Sequence, residues 1–244
     1  MTEAMMLDFA TPLGKILKAA LDLAAEMPWQ DVTLVQIAER AGLTLADVRA
    51  HAVSKTHVLA KLLRAVDDEV LRAAPKPQPG ASRRDALFEV IMVRFDLLQP
   101  YKAALRSIDK SGAADFSLAA PYLASQHWML QTAGIGTEGP LGRARIAGLA
   151  VAYAQTYRVW LGDDDPGLGK TMAALDRVLR RGENAMLSVE ETCNRVGGMM
   201  RTLGKMGRGA MRAACESRKS DTAAPPPPAP DAGPGPMPGE PVRP

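Results

Sequence analysis

The chain has 244 residues, 47% of them apolar, 23% charged and 5% aromatic, with a formal charge of +3, which is length enough to bury one large or two small cores. It lacks a run of about eighteen apolar residues, which excludes an apolar membrane-crossing helix, and its start, MTEAMMLDFATPLGK, has acids where a secretory signal would have a basic cluster. Cys193 and Cys215 are too few for a disulfide framework and are not spaced as a metal knuckle, so the expectation is a cytoplasmic protein with free thiols.

Residues 1–12 read as an N-terminal arm. Over 13–27 the helical period places Ile16, Leu17, Ala20, Leu21, Ala24 and Met27 on one face, and Pro28 stops the pattern. After PWQD, the stretch 32–62 reads as two short helices joined at Ala41-Gly42-Leu43, then the start of a longer one. That helix, 55–74, puts Val58, Leu59, Leu62, Leu63, Val66 and Val70 on one stripe and leaves Lys61, Arg64, Asp67, Asp68 and Arg72 mostly to water. The first helical domain therefore spans 13–73. Residues 74–84, APKPQPGASRR, form a breaker-rich linker.

A second helical domain spans 85–197, with helices near 85–98, 101–110, 115–133, 141–162 and 168–195. No convincing strand pattern appears, so the fold class is all-α. In the segment 198–220, Arg201, Lys205, Arg208 and Arg212 recur at helical spacing, a basic amphipathic pattern that suits an anionic membrane surface or nucleic acid. Against a stable helix stand Gly204, Gly207 and Gly209. The tail 221–244 is rich in Pro, Ala and Gly, with too little apolar side chain to offset ordering entropy, and is expected to be disordered.

The charge is uneven along the chain. Residues 1–74 hold eight Lys/Arg against ten Asp/Glu, a poor balance for gripping phosphates. Within them, 44–61 carries Arg49, Lys55, Lys61, His51 and His57 against Asp47 alone. Thr33 with Gln36, and Thr44 with Asp47, form capping-box patterns that start two short helices. Ala38 is small enough for a close crossing, Gly42 permits a positive φ, and Ile37, Leu43 and Val48 supply a shared core. This is a helix-turn-helix pattern, whose second helix would turn Thr44, Ala46, Asp47, Arg49, Ala50 and His51 toward a groove. Ser54 can cap the next helix and leave Lys55 on its first turn, where backbone N–H groups favour a phosphate.

From Lys15 to Leu71 the sequence resembles the DNA-binding domain of the TetR family, on Thr33, Ile37, Ala38, Ala41, Gly42, Leu43, Ser54, Lys55 and Leu59. The resemblance implies a homodimeric regulator of double-stranded DNA with a ligand pocket in its C-terminal helices. Thr33, Thr44, Ala46, Arg49, His51 and Lys55 are the candidate DNA contacts. Arg49 and Ala52 stand where that family usually carries a phosphate-contacting Tyr and an anchoring Phe.

Segments 85–108 and 144–183 also resemble the TetR-fold accessory proteins of ubiquinone biosynthesis, which bind lipid instead of DNA. The residues that carry this are Arg94 to Tyr101, then Trp160, Leu161, Asp163, Thr171, Leu175, Asp176 and Arg177. Both resemblances imply an apolar small-molecule or lipid ligand. The expected pocket residues are Trp128, Met129, Leu149, Tyr153, Tyr157 and Trp160, although such a stripe is also what a plain core requires. Ile146, Ala150, Leu161, Phe116 and Tyr122 are their neighbours.

Nothing points to an enzyme, a cofactor or a metal. His51, His57 and His127 have no carboxylate or cysteine at ligand spacing. Asp163-Asp164-Asp165 reads as a loop and helix cap, and GLGK at 167–170 lacks the strand and first glycine of a phosphate-binding loop.

Overall fold

The structure, a computed structural model, describes residues 10–77, 80, 82–112 and 116–185, with the backbone alone at Phe116. The arm before residue 10, both cysteines, the basic segment 198–220 and the tail 221–244 lie outside the described residues.

Nine helices occupy the described chain: α1 Pro12–Glu26, α2 Leu34–Ala41, α3 Leu45–His51, α4 Lys55–Ala73, α5 Arg83–Leu98, α6 Lys102–Lys110, α7 Ala119–Thr132, α8 Gly139–Gly162 and α9, described over 169–185. No strand occurs among the described residues, as the apolar periodicity requires. Short 3-10 turns stand at Trp29–Asp31, Gln99–Tyr101 and Phe116–Leu118. The last of these takes the first residues of the helix expected at 115–133, so α7 starts only at Ala119. Arg83 and Arg84, expected in the linker, already belong to α5.

Local chemistry fixes the helix ends. Thr11 Oγ1 accepts from the Gly14 N–H at 3.1 Å, and Pro12 takes the first position of α1, where no N–H is needed. Both expected capping boxes are present, Thr33 with Gln36 on α2 and Thr44 with Asp47 on α3. Gly42 ends α2 at φ +65°, the left-handed region that glycine enters without steric cost. Its N–H donates to Glu39 O at 3.1 Å and that of Leu43 donates to Ala38 O at 2.9 Å, closing the turn.

α1 packs on α2, α3 and α4 with one side and on α6 with another, while α4 runs on to meet α5 and α7, and α7 packs on α8. The expected α1 face is the buried one: Ile16, Leu17, Ala20, Leu21 and Ala24 are all in the core. On α4 the expected stripe is inside except for Leu63, which is half-buried, but Asp67, read as water-facing, is buried. Its place explains why. Asp67 follows Val66 and lies three residues before Val70 on the packed face, and a partner awaits it there.

That partner is Arg94 of α5, which donates through Nη1 to Asp67 Oδ1 and through Nε to the Tyr153 hydroxyl at 3.0 Å. Ser125 of α7 donates to the same Asp67 oxygen at 2.7 Å. Four helices thus meet at one buried ion pair. Burial works against the guanidinium charge, but the neighbouring Tyr153 and Asp67 outweigh it, and Arg94 is held above its ordinary pKa.

Candidate functional site

α3 is the element that could meet another molecule. Val48 and the capping residue Ala52, each 1% exposed, turn inward and fasten the helix to the core. Ala52 is thus a small but fully used anchor. Thr44, Leu45, Ala46, Asp47, Arg49 and Ala50 are exposed, and His51 is only half-buried at the edge. Arg49 has no hydrogen-bond or ion-pair partner among the described residues.

The candidate threonines are occupied locally. Thr33 donates from its backbone N–H and its hydroxyl to Gln36 Oε1, at 2.8 and 3.0 Å. Thr44 does the same to Asp47 Oδ2, at 2.9 and 2.7 Å. The Thr44 hydroxyl and backbone hold the Asp47 carboxyl below its usual range, so this acid serves as a helix cap.

Lys55 is turned toward the protein. Its ammonium donates to Trp29 O at 2.8 Å and Gln30 O at 3.1 Å, and lies 5.2 Å from the centre of the Trp29 ring. The expected position on the first turn of α4 is right, and Ser54 caps that turn by accepting from the His57 N–H at 3.1 Å. The side chain, however, ties α4 to the α1–α2 connection instead of reaching outward.

Four of the acids of residues 1–74 are held in ion pairs. Asp22 is bridged to Lys18, Glu26 to Arg40, Glu69 to Arg72 and Asp67 to Arg94. Arg40 hydrogen-bonds Glu26 and lowers its pKa. With Asp47 committed to its cap, the outward surface of α3 keeps Arg49 as its uncompensated charge.

The expected pocket residues do not converge on a cavity. Leu149, Tyr153 and Trp160 are buried, and Tyr157 is partly so. Phe95 stacks on Tyr153 at 5.6 Å and on Trp160 at 5.2 Å between ring centres, and Tyr157 lies 6.0 and 5.5 Å from the same two rings. At those separations the rings fill the space between them. Burial pushes the Tyr157 and Tyr153 hydroxyls well above their ordinary values, and that of Tyr122 up to about 12. Trp128 stands apart, 49% exposed on α7, while Met129 is buried beside Asp67 and Val70. An open groove of about 500 Å³ lies elsewhere, between the end of α1 with its following turn and α6.

The acid run 163–165 is a structural hub. Asp163 accepts from Thr171 N and Oγ1 at 2.9 and 2.8 Å and caps α9, Asp164 pairs with Arg106, and Asp165 accepts from Gly167 N and Gly169 N. The glycine amides of GLGK are therefore occupied. No group of metal-ligating side chains occurs among the described residues.

The path of the chain matches solved structures over about 70% of its length. A TetR transcriptional regulator from Nitrosomonas europaea ATCC 19718 superposes with a TM-score of 0.55, at 20% identity, over 70% of this chain and 97% of that one. The chain has the TetR-regulator fold. A TetR transcriptional regulator from Rhodococcus sp. RHA1 gives 0.52 at 18% identity, over 69% of this chain and 93% of that one. No family model and no curated protein matches the sequence. The resemblance of 85–108 and 144–183 to the ubiquinone-biosynthesis accessory proteins gains no support from these TetR-fold neighbours.

Sequence reasoning missed two features of this TetR-fold chain. Leu45, 50% exposed at the first turn of α3, belongs to the outward face, whereas an apolar residue at a helix start reads as core. The Asp67–Arg94 pair was also missed, though a charge set on each of two apolar stripes is a usable signal. No described helix is long and apolar enough to cross a membrane.

Proposed function

We propose that the chain is a DNA-binding transcriptional regulator of the TetR type, a homodimer that sets two copies of α3 into successive major grooves of duplex DNA. The observation that carries this reading is the build of α3: anchored by Val48 and Ala52, it holds Arg49 outward and unpaired among the described residues. A helix with its side chains is about 10–12 Å across, a fit to a major groove about 12 Å wide. Lys55 acts here as a positioning residue, fixing the start of α4 and hence the angle of α3.

The second copy is proposed to cover α8 and α9, where Val151, Val159 and Met172 are exposed. The ligand is proposed to be an apolar small molecule that parts the aromatic layer of Phe95, Tyr153, Tyr157 and Trp160. It would control binding only through unequal affinity for the two spacings of the readers.

The test is titration of the purified chain against duplex from its own upstream region at several salt concentrations. Affinity should fall by orders of magnitude as salt rises, as counterion release demands, and Arg49→Ala should weaken binding. Failure to form a specific complex at low salt would falsify the reading.

A further inference from the structure

This inference rests on the DNA-binding reading and concerns which bases are read. At 100° per residue, the side of α3 opposite Val48 is centred on Ala46 and Ala50, with Arg49 at about 100° and Leu45 at about 60° from Val48, and all four are exposed. Thr44 and Asp47 are bonded to each other. The outward face therefore offers one guanidinium and three hydrocarbon side chains. It offers no amide and no uncommitted carboxylate.

The major groove shows each base differently. Guanine presents two acceptors, N7 and O6, spaced for a guanidinium. Thymine presents a C5-methyl group, an apolar feature that hydrocarbon can cover. Adenine calls for a paired donor and acceptor such as an Asn or Gln amide, and cytosine for an acceptor such as a free carboxylate. Of these four partners, the face of α3 supplies the first two.

We propose that this protein reads a half-site in which a guanine opposite Arg49 is flanked by thymines, their methyl groups packed on Leu45, Ala46 and Ala50. Specificity then rests largely on hydrocarbon contact, with one bidentate hydrogen-bonded pair setting the register. Leu45 and Ala46 meet the groove from the first turn, and Ala50 meets it one turn later beside Arg49.

The experiment selects duplexes from a random pool with the full chain at low salt. The selected duplex is then remade with deoxyuridine in place of each half-site thymine, which deletes the methyl group and leaves base pairing unchanged. Uracil at the contacted positions should weaken binding about three- to fivefold each, the factor expected for one buried methyl. Arg49→Ala should lose the guanine preference, about tenfold or more, while keeping the thymine dependence. All four side chains are exposed, so the variant should fold, which an unchanged melting curve checks. Uracil duplexes held as tightly as thymine ones overturn methyl reading while leaving DNA binding intact. An Arg49→Ala variant weakened equally on every duplex, with a shallower salt slope, places Arg49 on phosphate and overturns the guanine contact. Retention of no duplex at any salt removes this inference together with the reading beneath it.

Discussion

Replacing Asp67 by Ala tests the buried junction directly. The change removes the carboxylate that receives Arg94 Nη1 and the Ser125 hydroxyl, and leaves a guanidinium whose side chain is 2% exposed without its counter-charge. Breaking a buried pair from one side costs about 3–5 kcal/mol, because the orphaned charge stays desolvated. At about 2–4 °C per kcal/mol for a chain of this size, the melting temperature should drop by about 6–20 °C. Replacing both partners with hydrocarbon, as in Asp67→Leu with Arg94→Met, removes the charge problem altogether. The Ser125 hydroxyl loses its partner in both variants, so the double one adds only the Tyr153 hydroxyl's loss of Arg94, at about 1–3 kcal/mol. The double variant should therefore melt above Asp67→Ala. Thermal unfolding followed by circular dichroism, with urea midpoints as a second measure, separates these cases. A single variant within about 0.5 kcal/mol of the parent, as for an ordinary surface site, would refute the reasoning.

Other sites give independent checks. Gly42→Ala forces a side chain into φ +65° and should cost about 1–2 kcal/mol in urea unfolding, with free space around the added methyl ruling out a clash as the cause. A Cβ at Gly142 would lie 2.0 Å from the backbone carbonyl of Thr137, so Gly142→Ala should cost about 3 kcal/mol or more, read as a lowered denaturant midpoint. Ser107 accepts from the Trp29 N–H at 3.0 Å and donates to Met27 O at 3.1 Å; Ser107→Ala strands a buried N–H, and amide exchange at Trp29 should speed up with a loss of about 1–3 kcal/mol. Thr171 hydrogen bonds hold Asp163 below its ordinary carboxylate pKa of 3.8, so its stabilising contribution is full above that value and disappears as pH falls through the lower folded one. Acid unfolding of Asp163→Asn should accordingly lose less stability below about pH 4 than the parent does.

Much of the fold is legible in the sequence because its signals are local. The two capping boxes, Gly42 and the α1 stripe act within one or two turns, and each sits where the pattern places it. The helices from α5 onward are harder to read for the same physical reason. Over α5, α7 and α8, polar residues such as Arg94, Ser125, Gln126 and Thr156 are buried among the apolar ones. Arg94 and Ser125 bond to Asp67, far off in sequence, which no periodicity shows, whereas Gln126 and Thr156 bond back to the carbonyls of Tyr122 and Ala152 four residues before them. The aromatic set 153, 157 and 160 was visible as a stripe, but a stripe does not distinguish rings that enclose space from rings that fill it. Phe95, which fills it, comes from α5.

The inward turn of Lys55 and the burial of Asp67 together set the mechanics of α4. Twelve residues separate the two clamps, about 18 Å of helix at 1.5 Å per residue. Sliding along the axis would pull the carboxylate away from Arg94, whereas tilting about it keeps the contact, so α4 behaves as a rod on a fulcrum. A tilt of about 5° over that arm would carry the far end by about 1.6 Å, about three times the length range of a hydrogen bond, so the Lys55 bonds to Trp29 and Gln30 would have to give.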